Sequence, residues 1–153
     1  MKRRVKQLAC KFRTAIEKAK VAGEFDSYLS FSRFPRACCG DASDLLAQFF
    51  LENKINSIYV WGNRYFDDPE EGTQSHAWLL VDGLIVDITG DQFINDSLYY
   101  NYSLPVYVGT GDAFHSLFDV EERNMHKFYG IENYGHMCQP RLFDLYRKIK
   151  KYI

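Results

Sequence analysis

Ser75-His76-Ala77-Trp78-Leu79-Leu80-Val81-Asp82-Gly83-Leu84-Ile85-Val86-Asp87-Ile88-Thr89 contains two apolar runs, His76 to Val81 and Leu84 to Thr89, joined by Asp82-Gly83. An Asp-Gly pair between such runs predicts a two-residue hairpin turn, because both central residues of that turn need positive φ. Val81 then pairs with Leu84, Leu80 with Ile85, Leu79 with Val86 and Trp78 with Asp87. Directly opposite residues point to one face of a sheet, and alternate residues share it. His76, Trp78, Asp87 and Thr89 therefore fall on one face. His76 and Asp87 become diagonal neighbours, roughly 5–8 Å apart. A slip of one residue would carry Asp87 to the other face, so the pairing depends on turn length. A carboxylate inside Leu84-Ile85-Val86-Asp87-Ile88 is costly without a partner, and His76 is placed to supply one.

Upstream, Cys38-Cys39-Gly40-Asp41-Ala42-Ser43 follows the Pro-containing stretch Ser32-Arg33-Phe34-Pro35-Arg36-Ala37. It precedes a helical pattern through Ala42, Leu45, Leu46, Phe49 and Phe50, read as a helix from 39 to 53. A cysteine at a helix start has a stabilised thiolate, because unpaired N–H groups and the helix dipole favour the charged sulfur. A histidine whose one ring nitrogen is fixed by a carboxylate keeps the other free to face that thiol. Cys39, His76 and Asp87 are thus candidates for nucleophile, base and orienter, with Cys38 the alternative nucleophile. Each residue alone has an ordinary structural reading: a small buried thiol, a hydrogen-bonding imidazole, a carboxylate on a backbone group or an arginine. Their order, and the face shared by His76 and Asp87, set the functional reading above those. Gly40 would let a substrate backbone approach closely. The Cys39 N–H is one oxyanion donor, and Gln74 and Trp61 are candidates for a second. Trp78, on the face of His76, is a further candidate contact.

The remaining elements follow from periodicity. Val5, Leu8, Ala9, Phe12, Ile16 and Ala19 mark an amphipathic helix over about 3–22, with Lys and Arg filling its other positions. Residues 55–61 predict a strand, 62–74 a polar surface loop with a solvated acidic run, and 104–109 a further short strand. Residues 112–127 predict one or two short helices, with Asp112 a candidate cap. Leu142, Leu145, Tyr146, Ile149 and Ile153 mark a C-terminal amphipathic helix. Helices, then a small antiparallel sheet, then helices define an α+β class, as one domain over 1–153 without repeats.

Composition excludes several function classes. The 153 residues are 46% hydrophobic and carry a net charge of −1, so no strong field points to nucleic acid. Basic clusters at both ends, Lys2 to Lys6 and Arg147 to Lys151, read as solvated helix faces. The four cysteines include an adjacent pair and no C-x-x-C spacing, which favours neither a disulfide framework nor a zinc site. No apolar run approaches the roughly 18 residues of a membrane span, and no secretory signal is recognisable. A cytoplasmic protein without metal or cofactor is expected, signal-independent secretion as an effector being compatible. His115, His126, His136 and Cys138 are scattered and read as structural or surface residues.

Around these residues the sequence resembles the transglutaminase-like branch of the papain-type cysteine enzyme superfamily. The resemblance covers about 34–93 and rests on Cys39 with Ser43, Phe49-Phe50, Lys54-Ile55, Val60-Trp61-Gly62, His76-Ala77-Trp78 and Val86-Asp87-Ile88-Thr89. Lys54 stands where the family has glycine, and His76 and Asp87 are only 11 positions apart. Small bacterial members of the superfamily, including papain-fold toxin and deamidase domains, are the most similar in size. The resemblance implies a papain-like core and a thiol-dependent acyl transfer of hydrolase, deamidase or transglutaminase type, acting on a protein or peptide side chain. Two other functions fit the same pattern: an arylamine N-acetyltransferase-like enzyme, and a non-catalytic binding module using Tyr99, Tyr100 and Tyr102.

Overall fold

The turn at Asp82-Gly83 sets the register of the whole sheet. In the computed structural model, which describes residues 1–153, Asp82 and Gly83 take φ of 49° and 76°. Both are left-handed, as a mirror-image two-residue turn requires. Strand β2 (Thr73–Val81) and strand β3 (Leu84–Asp87) pair antiparallel as Val81 with Leu84, Leu80 with Ile85 and Leu79 with Val86. This is the register expected from the sequence.

Strand β1 (Ile58–Tyr65) lies on the far side of β2, flanked by the three-residue edge strand β5 (Met125–Lys127). Strand β4 (Tyr107–Gly109) closes the other edge beside β3, giving the order β4-β3-β2-β1-β5. Helices α1 (Lys2–Val21), α2 (Cys39–Glu52) and α3 (Gln139–Lys150) complete an α+β fold. No helix is long and apolar enough to cross a membrane.

The period of two divides the hairpin between two cores. Leu79, Val81, Val86 and Ile88 join the main core with Phe12 and Ile16 of α1, Leu45 and Phe49 of α2, and Leu142 and Ile149 of α3. The opposite face carries Val60 and Trp78, covered by Phe93, Tyr99, Phe114 and Phe118 from the irregular segments that follow β3.

Four expectations need correction. The polar loop over 62–74 is mostly strand: Gly62 to Tyr65 pairs with Thr73 to His76, leaving a connection of only 66–72. Polar side chains concealed this pairing. Gly62 is required because a Cβ there would meet the Phe118 Cβ at 2.9 Å. Residues 112–127 form 3₁₀ turns and strand β5 rather than regular helices. Arg13 does not lie on the solvated face of α1 but is buried. It donates to the Ile88 carbonyl at 2.6 Å and, through both terminal nitrogens, to Asp91 at 2.8 Å. Finally, Tyr99 and Tyr102 do not form a surface with Tyr100. Tyr99 stacks on Phe93 and Tyr102 on Phe114, leaving Tyr100 exposed alone.

Lys54, in the position where a glycine was expected, takes φ of 61°. The chain leaves α2 through the left-handed conformation that glycine adopts without a Cβ penalty.

Candidate active site

His76 and Asp87 meet across β2 and β3 as the pleat requires. His76 Nε2 lies 2.7 Å from Asp87 Oδ2, and both side chains are almost wholly buried. Asp87 is further fixed through Oδ1, which accepts the Thr89 backbone N–H at 2.8 Å. That bond reaches two residues on, a turn favoured by Asp. Burial alone would lower the His76 pKa, but the Asp87 carboxylate, reinforced by Cys39, raises it instead. Burial alone would raise Asp87, and His76 and His115 together hold it far below the usual carboxylate range.

The walls of this pair are aromatic. Trp78, Phe93, Phe114 and Phe118 surround the His76 ring at centroid separations of 5.5–5.8 Å. Trp78 is therefore part of the enclosure, buried and not exposed to a substrate. On its remaining nitrogen, Nδ1, His76 faces the Gln92 amide at 3.3 Å. Gln92 also donates to the Thr89 carbonyl, and its neighbour Asp91 is clamped by Arg13. Helix α1 thereby helps position a contact of the imidazole.

Sequence reasoning missed His115. It is buried, and its Nε2 lies 3.0 Å from the same Asp87 oxygen that bonds His76. Its Nδ1 lies 2.7 Å from Asp112 Oδ1. No spacing signal links residue 115 to the hairpin, and only the returning chain brings it there. His76, Asp87 and His115 offer three atoms within 4.8 Å of one another, a possible metal-ligating set. A metal there would replace both bonds to Asp87, and no fourth protein ligand completes the tetrahedral shell typical of buried zinc sites. The hydrogen bonds already account for the cluster.

Cys39 is the first residue of α2 and borders a cavity of about 370 Å³ together with Gly40, Tyr59, Trp61, Ser75, His76 and Ala77. Burial would raise its thiol pKa. Interaction with His76 and the Ala77 backbone N–H overcome this and hold the thiol below the ordinary cysteine value, against a small opposing effect of Asp87. Cys38 behaves oppositely. It caps the helix from inside the main core, where burial, followed by Cys39 and Asp41, pushes its thiol up to about 12. The two adjacent cysteines are thus separated chemically by which way the helix start faces.

A second cavity, of about 430 Å³, adjoins Cys39 and Gly40 on the side lined by Tyr28, Leu29, Phe31 and Leu145. At Gly40 a Cβ would stand 3.1 Å from the Tyr59 hydroxyl, a tight contact that the Tyr59 side chain would have to relieve. Asp41 does not face the thiol but pairs with Arg141 at 2.9 Å. Trp61 borders the cavity of Cys39 and His76, whereas the Gln74 amide donates to the Ser75 carbonyl and lines no part of that cavity.

No family model, curated protein or solved structure matches the chain.

Proposed function

We propose that the protein is a thiol-dependent acyl-transfer enzyme with a papain-like, transglutaminase-like core, using Cys39, His76 and Asp87. One observation carries this reading: a cysteine whose thiol is held below its ordinary pKa borders the same cavity as a histidine bonded to a buried carboxylate. The Cys39 thiolate attacks the carbonyl carbon of an amide, and the carbonyl π electrons move to oxygen. Collapse of the tetrahedral intermediate breaks the C–N bond while the His76 imidazolium gives its proton to the departing amine. Water or an amine then attacks the Cys39 thioester, giving up a proton to His76 as the C–S bond breaks and the thiolate is restored. Asp87 stays ionised throughout and holds the imidazole. The Cys39 backbone N–H, in the first turn of α2, is one oxyanion donor. Trp61 is the candidate for the second.

Two cavities meeting at Cys39-Gly40 suit an acyl donor that extends to both sides of the reacting carbonyl, as a protein or peptide side chain does. A protein glutamine carboxamide is the substrate we favour. Iodoacetamide labelling near pH 7 tests the reading. Cys39 is expected to react fastest of the four cysteines, and His76→Ala to slow it at least tenfold. Equal labelling of all four cysteines would refute the assignment.

A further inference from the structure

We propose that His115 and Asp112 are positioning residues of the site, forming a second arm that holds Asp87 at the same carboxylate oxygen as His76. The inference rests on the acyl-transfer reading and extends it to residues that never touch substrate.

The hydrogen bonding at His115 is unusual. Both ring nitrogens face carboxylate oxygens, Asp112 Oδ1 at 2.7 Å and Asp87 Oδ2 at 3.0 Å. Carboxylates only accept, so both contacts are hydrogen bonds when both nitrogens carry protons. The ring bridges two carboxyl groups, with its side chain 2% exposed. Asp112 is itself fixed: its Oδ1 also accepts the His115 backbone N–H at 2.8 Å, and its Oδ2 accepts the Tyr102 hydroxyl at 3.1 Å. The other titratable groups facing the His115 ring are Tyr107, with centroids 4.9 Å apart, Tyr102 at 5.9 Å and His76 at 6.5 Å, and Phe114 at 4.9 Å and Trp78 at 5.3 Å complete its walls.

This geometry gives Asp87 an acceptor role on every side. Oδ1 accepts from Thr89, and Oδ2 accepts from His76 and His115 together. Thr89 fixes Oδ1, while Oδ2 without His115 would be held by His76 alone. The His115 N–H supplies a second donor to that oxygen and helps keep a fully buried carboxylate ionised. The arm ends at Asp112, which is partly open to solvent. The line from Asp112 through His115, Asp87 and His76 to Cys39 thus runs from the surface beyond the aromatic enclosure to the cavity.

Two measurements test this. The first is the rate of Cys39 alkylation against pH in the full-length chain. His115→Phe, which fills the volume without a donor, is expected to slow alkylation at pH 7 about tenfold, equivalent to about one pH unit in thiolate formation. His115→Gln, which can still donate to Asp87, is expected to recover most of that loss. Asp112→Asn is expected to give a smaller slowing. A residue that merely fills space would lower the melting temperature and leave the pH profile in place. An unchanged profile in folded His115→Phe would overturn the proposal.

The second measurement needs no variant. Nitrogen NMR of ring-labelled histidine in the native protein is expected to show a proton on His115 Nε2, the nitrogen that faces Asp87 Oδ2. A bare Nε2 on His115 would also overturn the proposal, even if His115→Phe failed to fold. Failure of the acyl-transfer reading looks different: alkylation of Cys39 would then be insensitive to His76→Ala, whatever the state of His115.

Discussion

The two faces of the β2–β3 hairpin are built from one strand pair but do different work. One face meets α1, α2 and α3 through a core of 27 buried residues, all apolar. The other carries a cluster of only six, five of them aromatic, yet it encloses His76, Asp87 and His115. The first face has area, and area is what stabilises a chain of this length. The second has low polarity around charges, and this is what makes a carboxylate bind its imidazoles strongly. The Cys38 thiol, set in the first core, is only pushed up by burial, whereas the titratable groups of the second bond one another.

Breaking the helical face should have the largest effect on stability and little on reactivity. Phe12 is fully buried and stacks on Phe49 at 5.2 Å. Phe12→Ala is expected to cost about 4 kcal/mol, lowering the melting temperature by roughly 8–16 °C, as thermal unfolding will measure. The relative alkylation rate of Cys39 should stay unchanged at temperatures where the variant is folded.

Breaking the aromatic face should do the reverse in proportion. Asp87→Asn removes the negative charge shared by two imidazoles and is expected to cost about 3 kcal/mol, with at least tenfold slower Cys39 alkylation. Its pH dependence follows from the two shifts. Asp87 is depressed when folded, so its contribution exists above pH 3.8 and fades as pH falls through the lower folded value. His76 is raised from 6.5 to about 10, so its contribution is complete below pH 6.5 and is lost as pH rises toward 10. Chemical denaturation between pH 6.5 and 10 should show stability declining in the native protein, and a flatter profile in Asp87→Asn.

The smallest effect sharpens the contrast from the helical side. Lys54 takes a left-handed conformation as the chain leaves α2, which costs a residue with a Cβ about 1 kcal/mol. Lys54→Gly is expected to stabilise by up to about 1 kcal/mol in the same denaturation assay and to leave Cys39 reactivity untouched.

Much of the site could be read before the fold. Asp82-Gly83 implies its turn, the turn implies the register, and the register brings His76 to Asp87, because strand periodicity and turn geometry are local. The helix-start position of Cys39 is equally local. His115 was not legible, since its contact with Asp87 spans 28 residues of irregular chain. Arg13 misled for the opposite reason: its helical position is clear, but its partners Ile88 and Asp91 are 75 and 78 residues away. Periodicity cannot distinguish a charged residue facing water from one facing a distant carboxylate.

By itself, then, the sequence determined the hairpin, the three helices and the order of thiol, imidazole and carboxylate along the chain, since each depends on residues within a few positions of one another. Only the tertiary structure decided which of two adjacent cysteines shares a cavity with His76, what surrounds His76, and that Asp87 serves two histidines. Those outcomes depend on how segments far apart in sequence close over one face of the sheet, and burial there, not local propensity, sets the chemistry of the groups enclosed.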